Sequence, residues 1–342
     1  MKLIRRFRRS IAALSGGSQY RTQVRSPGRI VCVPSMLIVA FLFVAAETIA
    51  SDTILVVPTR DSGAYQEFIQ SFENSLAAGK GGKNVAIRTI ESSSLTKASY
   101  DELYSQLRLI VTVGADAAQK VLELNPSAPV LSTLIPRSSY SLLTSRRAQK
   151  KNSAIYLDQP LARRLDLVEV LLPQKKTISV VLGPSTRNLE TELKATASKR
   201  GFVVKIETMK ASQRLVGPLN RALEDSGAFL AVADPVVSNR RTVQNLLLTT
   251  YRQRVPVIGY SRAYVRAGAL AAAFSTPTQI GKQTGEMVGE LLRRGNWSLP
   301  KPQYPKYFSV EVNDQVAKSL GISVPRVTDI EGSLKRSQGV LP

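Results

Sequence analysis

From residue 51 onward the chain alternates short apolar runs rich in Val, Ile and Leu with amphipathic stretches. The first half holds "TILVVP" (53–58), "NVAIRTI" (84–90), "RLIVTVG" (108–114) and "APVLST" (128–133). The second half holds "TISVVLG" (177–183), "FVVKIET" (202–208), "AFLAVAD" (228–234) and "VPVIGYS" (255–261). Most are apolar throughout instead of alternating with polar positions, which predicts parallel strands covered on both faces. Between them apolar residues recur at helical spacing, as in Leu161, Leu165, Val168 and Leu172, or Leu219, Ala222 and Leu223. Successive strands of the second half start 25, 26 and 27 residues apart, the length of a βα crossover. The pattern predicts an α/β protein of two doubly wound parallel-sheet lobes, joined near "SAIYLDQP" (153–160).

A further strand and helix follow these two rounds. Residues 268–274 are a run of small and apolar residues, and Thr276-Pro277-Thr278-Gln279 then reads as a capping box with proline at the first helical position. Ile280, Thr284, Met287, Val288, Leu291 and Leu292 lie on one face, and Arg293-Arg294-Gly295 gives a basic last turn and a left-handed stop. Gly281, Gly285 and Gly289 recur every four residues, a spacing that lets a neighbouring backbone approach closely. Strand and helix together are expected to return to the first lobe and complete it.

In open parallel sheets ligands meet the turns after the strands' carboxyl ends, where helix N-termini offer free N–H groups. Here those turns are "PTRDSGAY" (58–65), "TVGADAAQ" (112–119), "STLIPRSSYS" (132–141), "GPSTRN" (183–188), "ADPVVSN" (233–239) and "YSRAY" (260–264). Their Ser, Thr and Asp residues serve equally as helix caps. Arg60, Arg137, Arg187 and Arg262 stand on these turns and point to an anionic ligand, unless they are solvated surface arginines.

Composition narrows the chemistry. The chain has 342 residues, a net charge of +22, no histidine and a single cysteine, Cys32. Histidine-based triads and histidine metal sites are thereby excluded. "GYSRA" lacks the second glycine of a nucleophile elbow, and "GKGGKN" lacks the spacing and hydroxyl of a phosphate loop. Neither an enzymatic activity nor a cofactor is expected. Residues 1–50 contain eight basic residues and one acid, leaving +15 on the rest. Basic residues up to Arg29 precede the apolar block "VCVPSMLIVAFLFVAA" (31–46) and then small residues, the pattern of an export signal cleaved after Ala50 or Ala46, with an uncleaved anchor as the alternative. The remaining basic residues are interspersed with acids and accompanied by no stacking or helix-turn-helix motif, so no nucleic-acid partner is expected.

The stretch "VPVIGYSRAYVRAGALAAAFSTPTQIGKQTGEMVGELLRRGNWSLPKPQYPKYFSVEVNDQVAKSLGISVP" (255–325), ending in Asn313, Ala317, Leu320, Gly321, Ile322 and Pro325, resembles the periplasmic substrate-binding proteins of ABC transporters. The similarity is to the branch whose characterised members bind aromatic amino acids, and "VTVGADAAQ" matches a turn of its first lobe. It covers roughly residues 52–330. The resemblance implies a type I periplasmic-binding fold, in which two lobes joined by three crossings, near 153–159, 260–267 and 303–309, close on a ligand. The implied organisation is a signal peptide at 1–50, a first lobe of 51–156 plus 264–304, a second lobe of 157–263 plus 305–330, and a flexible tail at 331–342.

On that fold the candidate ligand contacts are Thr59, Ser62, Gly114, Ala115, Thr133, Ser138, Ser185, Thr186, Asp234 and Tyr260. Asp234 either pairs with a ligand ammonium or is a strand-exit turn residue. The implied function is non-catalytic capture of an amino acid or other small anion-bearing solute for an ABC permease in the inner membrane. The protein would act as a periplasmic monomer. A periplasmic sensor signalling to a membrane receptor or kinase would use the same closing fold. The sequence departs from the family where "LSTLIPRSS" replaces its usual Asp-Pro after the fourth strand, and it carries no lipid-attachment cysteine after the apolar block.

Overall fold

The computed structural model describes residues 52–79, 85–145 and 151–338, so the expected signal peptide and residues 339–342 lie outside the described residues. The apolar runs become two sheets. In the first, β1 (Asp52–Pro58), β2 (Val85–Thr89), β3 (Leu107–Val113), β4 (Val130–Ile135) and β5 (Asn152–Tyr156) lie in the order β2-β1-β3-β4-β5, all parallel. Helices α1 (Gly63–Ala78), α2 (Lys97–Leu103), α3 (Ala115–Glu123) and α4 (Arg137–Ser145) connect these strands. Alternate side chains of β1 serve opposite cores: Ile54 and Val56 pack with Phe68 and Phe72 of α1, while Leu55 and Val57 pack with Val121 and Leu122 of α3. With both faces covered, every residue of β1 after Asp52 is buried.

The second sheet contains β6 (Thr177–Leu182), β7 (Val203–Thr208), β8 (Ala228–Leu230), β9 (Val257–Gly259), β10 (Ala271–Phe274) and β11 (Ser309–Val312). Its order is β11-β10-β9-β8-β6-β7, parallel except for the β10–β11 pair. Its helices are α5 (Leu161–Leu171), α6 (Glu190–Ser198), α7 (Val216–Leu223), α8 (Val243–Arg252) and α9 (Arg262–Arg266). Beyond α10 (Pro277–Arg294) come α11 (Asp314–Leu320) and α12 (Val327–Ser337). Leu165 and Val168 of α5 share one core with Ile178, Val180 and Leu193, and Leu219, Leu223 and Leu246 pack with Val181 on the other face. The two-lobed α/β architecture is as the sequence predicts.

Two expectations need correction. The strand within 268–274 does not return to the first lobe: β10 pairs with β9 and β11, and Ala271 and Ala273 lie in the second core beside Leu165. Only α10 crosses over. A short apolar run carries no record of which sheet edge it will meet, and here its antiparallel partner arrives about forty residues later, at Ser309. Nor is 331–342 a free tail. Through Ser337 it is the continuation of α12, whose Ile330 and Leu334 are fully buried in the second core.

Helix α10 forms as its local signals dictate. The Thr276 hydroxyl accepts the Gln279 N–H, the Gln279 side chain accepts the Thr276 N–H, and Gly295 closes the helix at φ 61°. A Cβ on Gly281 would stand 2.3 Å from the Phe68 carbonyl oxygen, and one on Gly285 would stand 2.7 Å from that of Phe72. At Gly289 the nearest atom, Leu76 Cδ1, is 3.9 Å away, an ordinary contact. Glycine thus lets the α10 backbone lie directly on α1 over two of its three small positions. The Ser71 and Ser75 hydroxyls seal that seam by donating to the Thr278 and Lys282 carbonyls, at 2.7 and 2.9 Å.

The chain passes between lobes at 157–160, 275–276 and 304–308, as the ends of the flanking elements define. One hydrogen-bonded chain knits the three crossings. Gln159 Nε2 donates to Ser275 Oγ at 2.8 Å, and Ser275 Oγ donates to the Tyr307 carbonyl at 2.6 Å. Arg163 Nη1 donates to Gln159 Oε1 and to the Pro305 carbonyl, at 2.5 and 3.0 Å. The middle crossing falls about ten residues later than the family resemblance implies, because α9 and β10 remain with the second lobe.

Candidate functional site

A cleft of about 600 Å³ opens where the lobes meet. Pro136, Arg137 and Ser138, at the β4–α4 turn, form its first-lobe wall. Opposite stand Thr186, Leu189, Val232 and Ala233 at the ends of β6 and β8, with Tyr260, Ser261 and Arg262 after β9. Its back is built by the crossings, through Leu157, Asp158, Gln159, Ser275, Thr276 and Tyr304, and by Leu161 and Arg164 of α5. The location follows from the strand direction: parallel strands present all their carboxyl ends, and so their turns, to the same side.

Of the ten residues expected to touch ligand, Ser138, Thr186 and Tyr260 line this cleft. The others do not line it, and the hydrogen bonds of several explain why. Thr59 Oγ1 donates to the Val113 carbonyl and accepts the Ala117 N–H, tying β1 to α3. Thr133 Oγ1 is buried and donates to the Thr112 carbonyl at 2.7 Å. Gly114, at φ 102°, packs on Thr59, where a Cβ would collide with the hydroxyl. Ser62 begins α1 without a side-chain cap, and Ala115 is the first residue of α3.

Asp234 is a turn residue. Its Oδ2 accepts the Ser185 N–H and the Thr186 hydroxyl, both at 3.0 Å, and Oδ1 accepts the N–H groups of Val236 and Val237, at 2.8 and 3.4 Å. At 1% exposed, with both oxygens occupied by protein donors, it offers nothing to a ligand ammonium. The hydroxyl proton of Thr186 is likewise committed to Asp234.

The arginines of the turns divide in the same way. Arg60 and Arg187 are exposed and outside the cleft lining. Arg262 pairs with Glu311 at 2.9 Å and lies over the Phe274 ring. Arg137 bridges the lobes, its Nη1 reaching Glu192 Oε2 of α6 and the Tyr304 hydroxyl, both at 2.5 Å. Burial pulls the Arg137 pKa down, but the bonds and charges of Glu192 and Tyr304 outweigh it and the net shift is upward. Tyr304 in turn meets Tyr156 edge to face, and Tyr156 meets Tyr140, with centroids 5.4 and 5.8 Å apart. Burial pushes the Tyr140 phenol up to about 12.

Two charged groups of the cleft escaped the sequence reading. Asp158, in the first crossing, accepts the Arg137 N–H on Oδ2 at 2.6 Å. Burial holds its pKa above the usual carboxylate value, partly offset by that N–H and by the Arg164 and Arg137 charges. Arg164 is 5% exposed; its Nη2 donates to the Ala231 carbonyl and lies 3.5 Å from those of Ile258 and Gly259. Burial pulls its pKa down to about 10, so it remains a cation at neutral pH. A signal for Arg164 was present: it occupies the apolar face set by Leu161, Leu165 and Val168, where a charged side chain is out of place.

A family model described as "ABC transporter substrate binding protein" matches residues 83–329. No curated protein matches the chain. Among solved structures, a ligand-free, open substrate-binding protein with adhesive properties from Clostridium difficile is 20% identical, at a TM-score of 0.64 over 80% of this chain and 96% of that one. An ABC domain from Streptococcus pneumoniae in complex with L-Trp is 17% identical, with a TM-score of 0.55 over 83% of this chain and 98% of that one. A conserved domain protein from Vibrio cholerae is 21% identical, with a TM-score of 0.54 over 83% and 98% of the two chains. At these identities the likeness establishes the fold, that of type I periplasmic binding proteins.

Proposed function

Because the chain belongs to the ABC transporter substrate-binding protein family, we propose that it captures a small solute in the interlobe cleft and delivers it to an inner-membrane ABC permease. It does so without chemistry or cofactor, as an exported monomer whose signal is residues 1–50. The solute is an amino acid or another small molecule bearing an anionic group. The observation that carries this reading is the position of the cleft, lined from both sheets and from the crossings between them. A solute touching both walls makes its full set of contacts only when the lobes are together, so binding must favour the closed form. Closure removes water from the polar groups of the crossings and strengthens their electrostatic interactions. Among the described residues no helix is long and apolar enough to cross a membrane.

Small-angle scattering and thermal unfolding, each with and without solute, test the reading together. The expected result is a smaller radius of gyration and a gain of RT ln(1 + [L]/Kd), about 2.7 kcal/mol at a hundredfold excess over Kd. Tight binding with no contraction would overturn closure, and a thermal-shift screen without a single stabilising solute would overturn capture.

A further inference from the structure

Helix α5 carries two adjacent buried arginines, and the protein treats them differently. Arg163 has an acceptor at each of its three nitrogens. Its Nε and Nη2 donate to Gln338 Oε1 at 2.8 and 2.5 Å, its Nη1 donates to Gln159 Oε1 and the Pro305 carbonyl, and its guanidinium lies 4.1 Å from the Phe308 ring centroid. Arg164 does not. Among the described residues only Nη2 has acceptors, all of them backbone carbonyls at the carboxyl ends of β8 and β9. These orient the guanidinium without neutralising it. Among the described residues, Nε is shut off from solvent with no partner, Nη1 has no acceptor, and no carboxylate comes within ion-pairing distance. A buried guanidinium with no carboxylate at ion-pairing distance costs several kcal/mol, offset only in part by the more distant charge of Asp158. The first helical turn of a lobe is an unfavourable place to keep one, unless an oxyanion arrives there in the working state.

The rest of the cleft shows what accompanies that oxyanion. Arg137 is matched by Glu192 and Arg262 by Glu311, so those charges cancel in place. One anion remains. Asp158 faces the same cleft, within electrostatic reach of Arg164, and the single hydrogen bond it accepts from another residue is the Arg137 N–H on Oδ2. The unpaired set is therefore one cation on α5 and one anion on the first crossing. Around them lie apolar side chains, among them Leu157, Leu161, Leu189, Val232 and Phe274.

We propose that Arg164 and Asp158 are a dipolar anchor: the solute presents a carboxylate to Arg164 Nη1 and a cationic amine to Asp158, with its apolar part against Leu161, Leu189, Val232 and Phe274. This rests on the capture function and goes further by naming the two residues that select the solute. Each fixed charge is left unpaired by a ligand lacking its complement, so the site rejects singly charged and neutral molecules more strongly than it discriminates among apolar side chains. Asp234, although the more conspicuous acid in the sequence, takes no part.

The test is calorimetric titration of the purified protein with free L-amino acids, their amides, their N-acetyl derivatives, and D-ribose as an uncharged control. Amidation removes the carboxylate and acetylation removes the ammonium. The expected result is that a free amino acid binds and that each derivative binds at least tenfold more weakly. Arg164→Gln should lose at least tenfold for the free amino acid while leaving the amide unchanged. Asp158→Asn, which keeps the side-chain shape and an acceptor for the Arg137 N–H, should lose as much while leaving the N-acetyl derivative unchanged. If Arg164→Gln does not fold, the Asp158→Asn titrations and the wild-type derivative series still decide. Equal binding of the free amino acid and either derivative would overturn the anchor, as would tight binding of D-ribose alone, and capture would stand in both cases. Binding of no compound in the panel would overturn the anchor, and the thermal-shift screen over other solutes then decides capture.

Discussion

Helix α10 begins in the cleft, where Thr276 and Pro277 are lining residues, and one turn later it enters the seam with α1. These neighbouring regions solve opposite problems. In the seam, backbone meets backbone: no side chain intervenes at Gly281, and the serine hydroxyls that border the contact are all hydrogen-bonded. In the cleft, carboxylate and guanidinium groups are held in place by backbone and left short of partners. The seam can only lose by change, because packed backbones have no slack to absorb a methyl group. The cleft keeps unspent hydrogen-bonding capacity, which destabilises the unliganded protein and favours whatever completes it. Close packing and an open, polar cleft thus meet within a dozen residues of one helix.

The sharpest way to break that contrast is a leucine series along α10. Gly281→Leu should cost about 3 kcal/mol or more, at or beyond the upper end for overpacking, since its Cβ would lie 2.3 Å from a backbone oxygen. Gly285→Leu should cost about 2–3 kcal/mol, and Gly289→Leu, with only Leu76 Cδ1 at 3.9 Å, should be nearly neutral. Urea midpoints report the series, and three equal midpoints would mean the seam is not the rigid region described.

Asp234→Ala comes next. It strips partners from the Ser185 and Val236 N–H groups and from the Thr186 hydroxyl, so roughly 2–4 kcal/mol of stability should go while the folded fraction binds solute as wild type does. A large affinity loss with an unchanged midpoint would restore Asp234 to the site. The smallest effect on stability belongs to the interlobe pair. Arg137→Ala removes a half-exposed bridge to Glu192 worth about 0–1 kcal/mol. Because that bridge exists only when the lobes are together, the solute-free protein should nevertheless scatter with a larger radius of gyration. An unchanged radius would show that the bridge follows closure and does not hold it.

Much of this could be read from the chain before folding. The strand runs of the first lobe fall within two residues of β1 to β4, because apolar runs bounded by turn residues are a local signal. Helix α10 is the fullest case: capping box, proline, apolar face, basic last turn and stop glycine all act within the helix that carries them. The site was less legible. Three of ten expected contacts line the cleft, since a Ser, Thr or Asp at a strand exit reads the same whether it caps a helix or faces a ligand.

What the sequence determined alone is therefore what depends on near neighbours: strand and helix order, two largely parallel sheets, the glycine spacing of α10 that admits a close neighbour, and the exclusion of histidine chemistry. What the tertiary structure decided is which sheet takes β10, which carboxylate is spent within the protein and which faces the cleft, and which of two adjacent arginines is the less fully hydrogen-bonded. Asp234 Oδ2 is satisfied by donors nearly fifty residues away, and Nε and Nη2 of Arg163 by an acceptor 175 residues away. Whether a polar group is satisfied is settled by contacts that no local pattern records, and the groups left unsatisfied are the ones a ligand can complete.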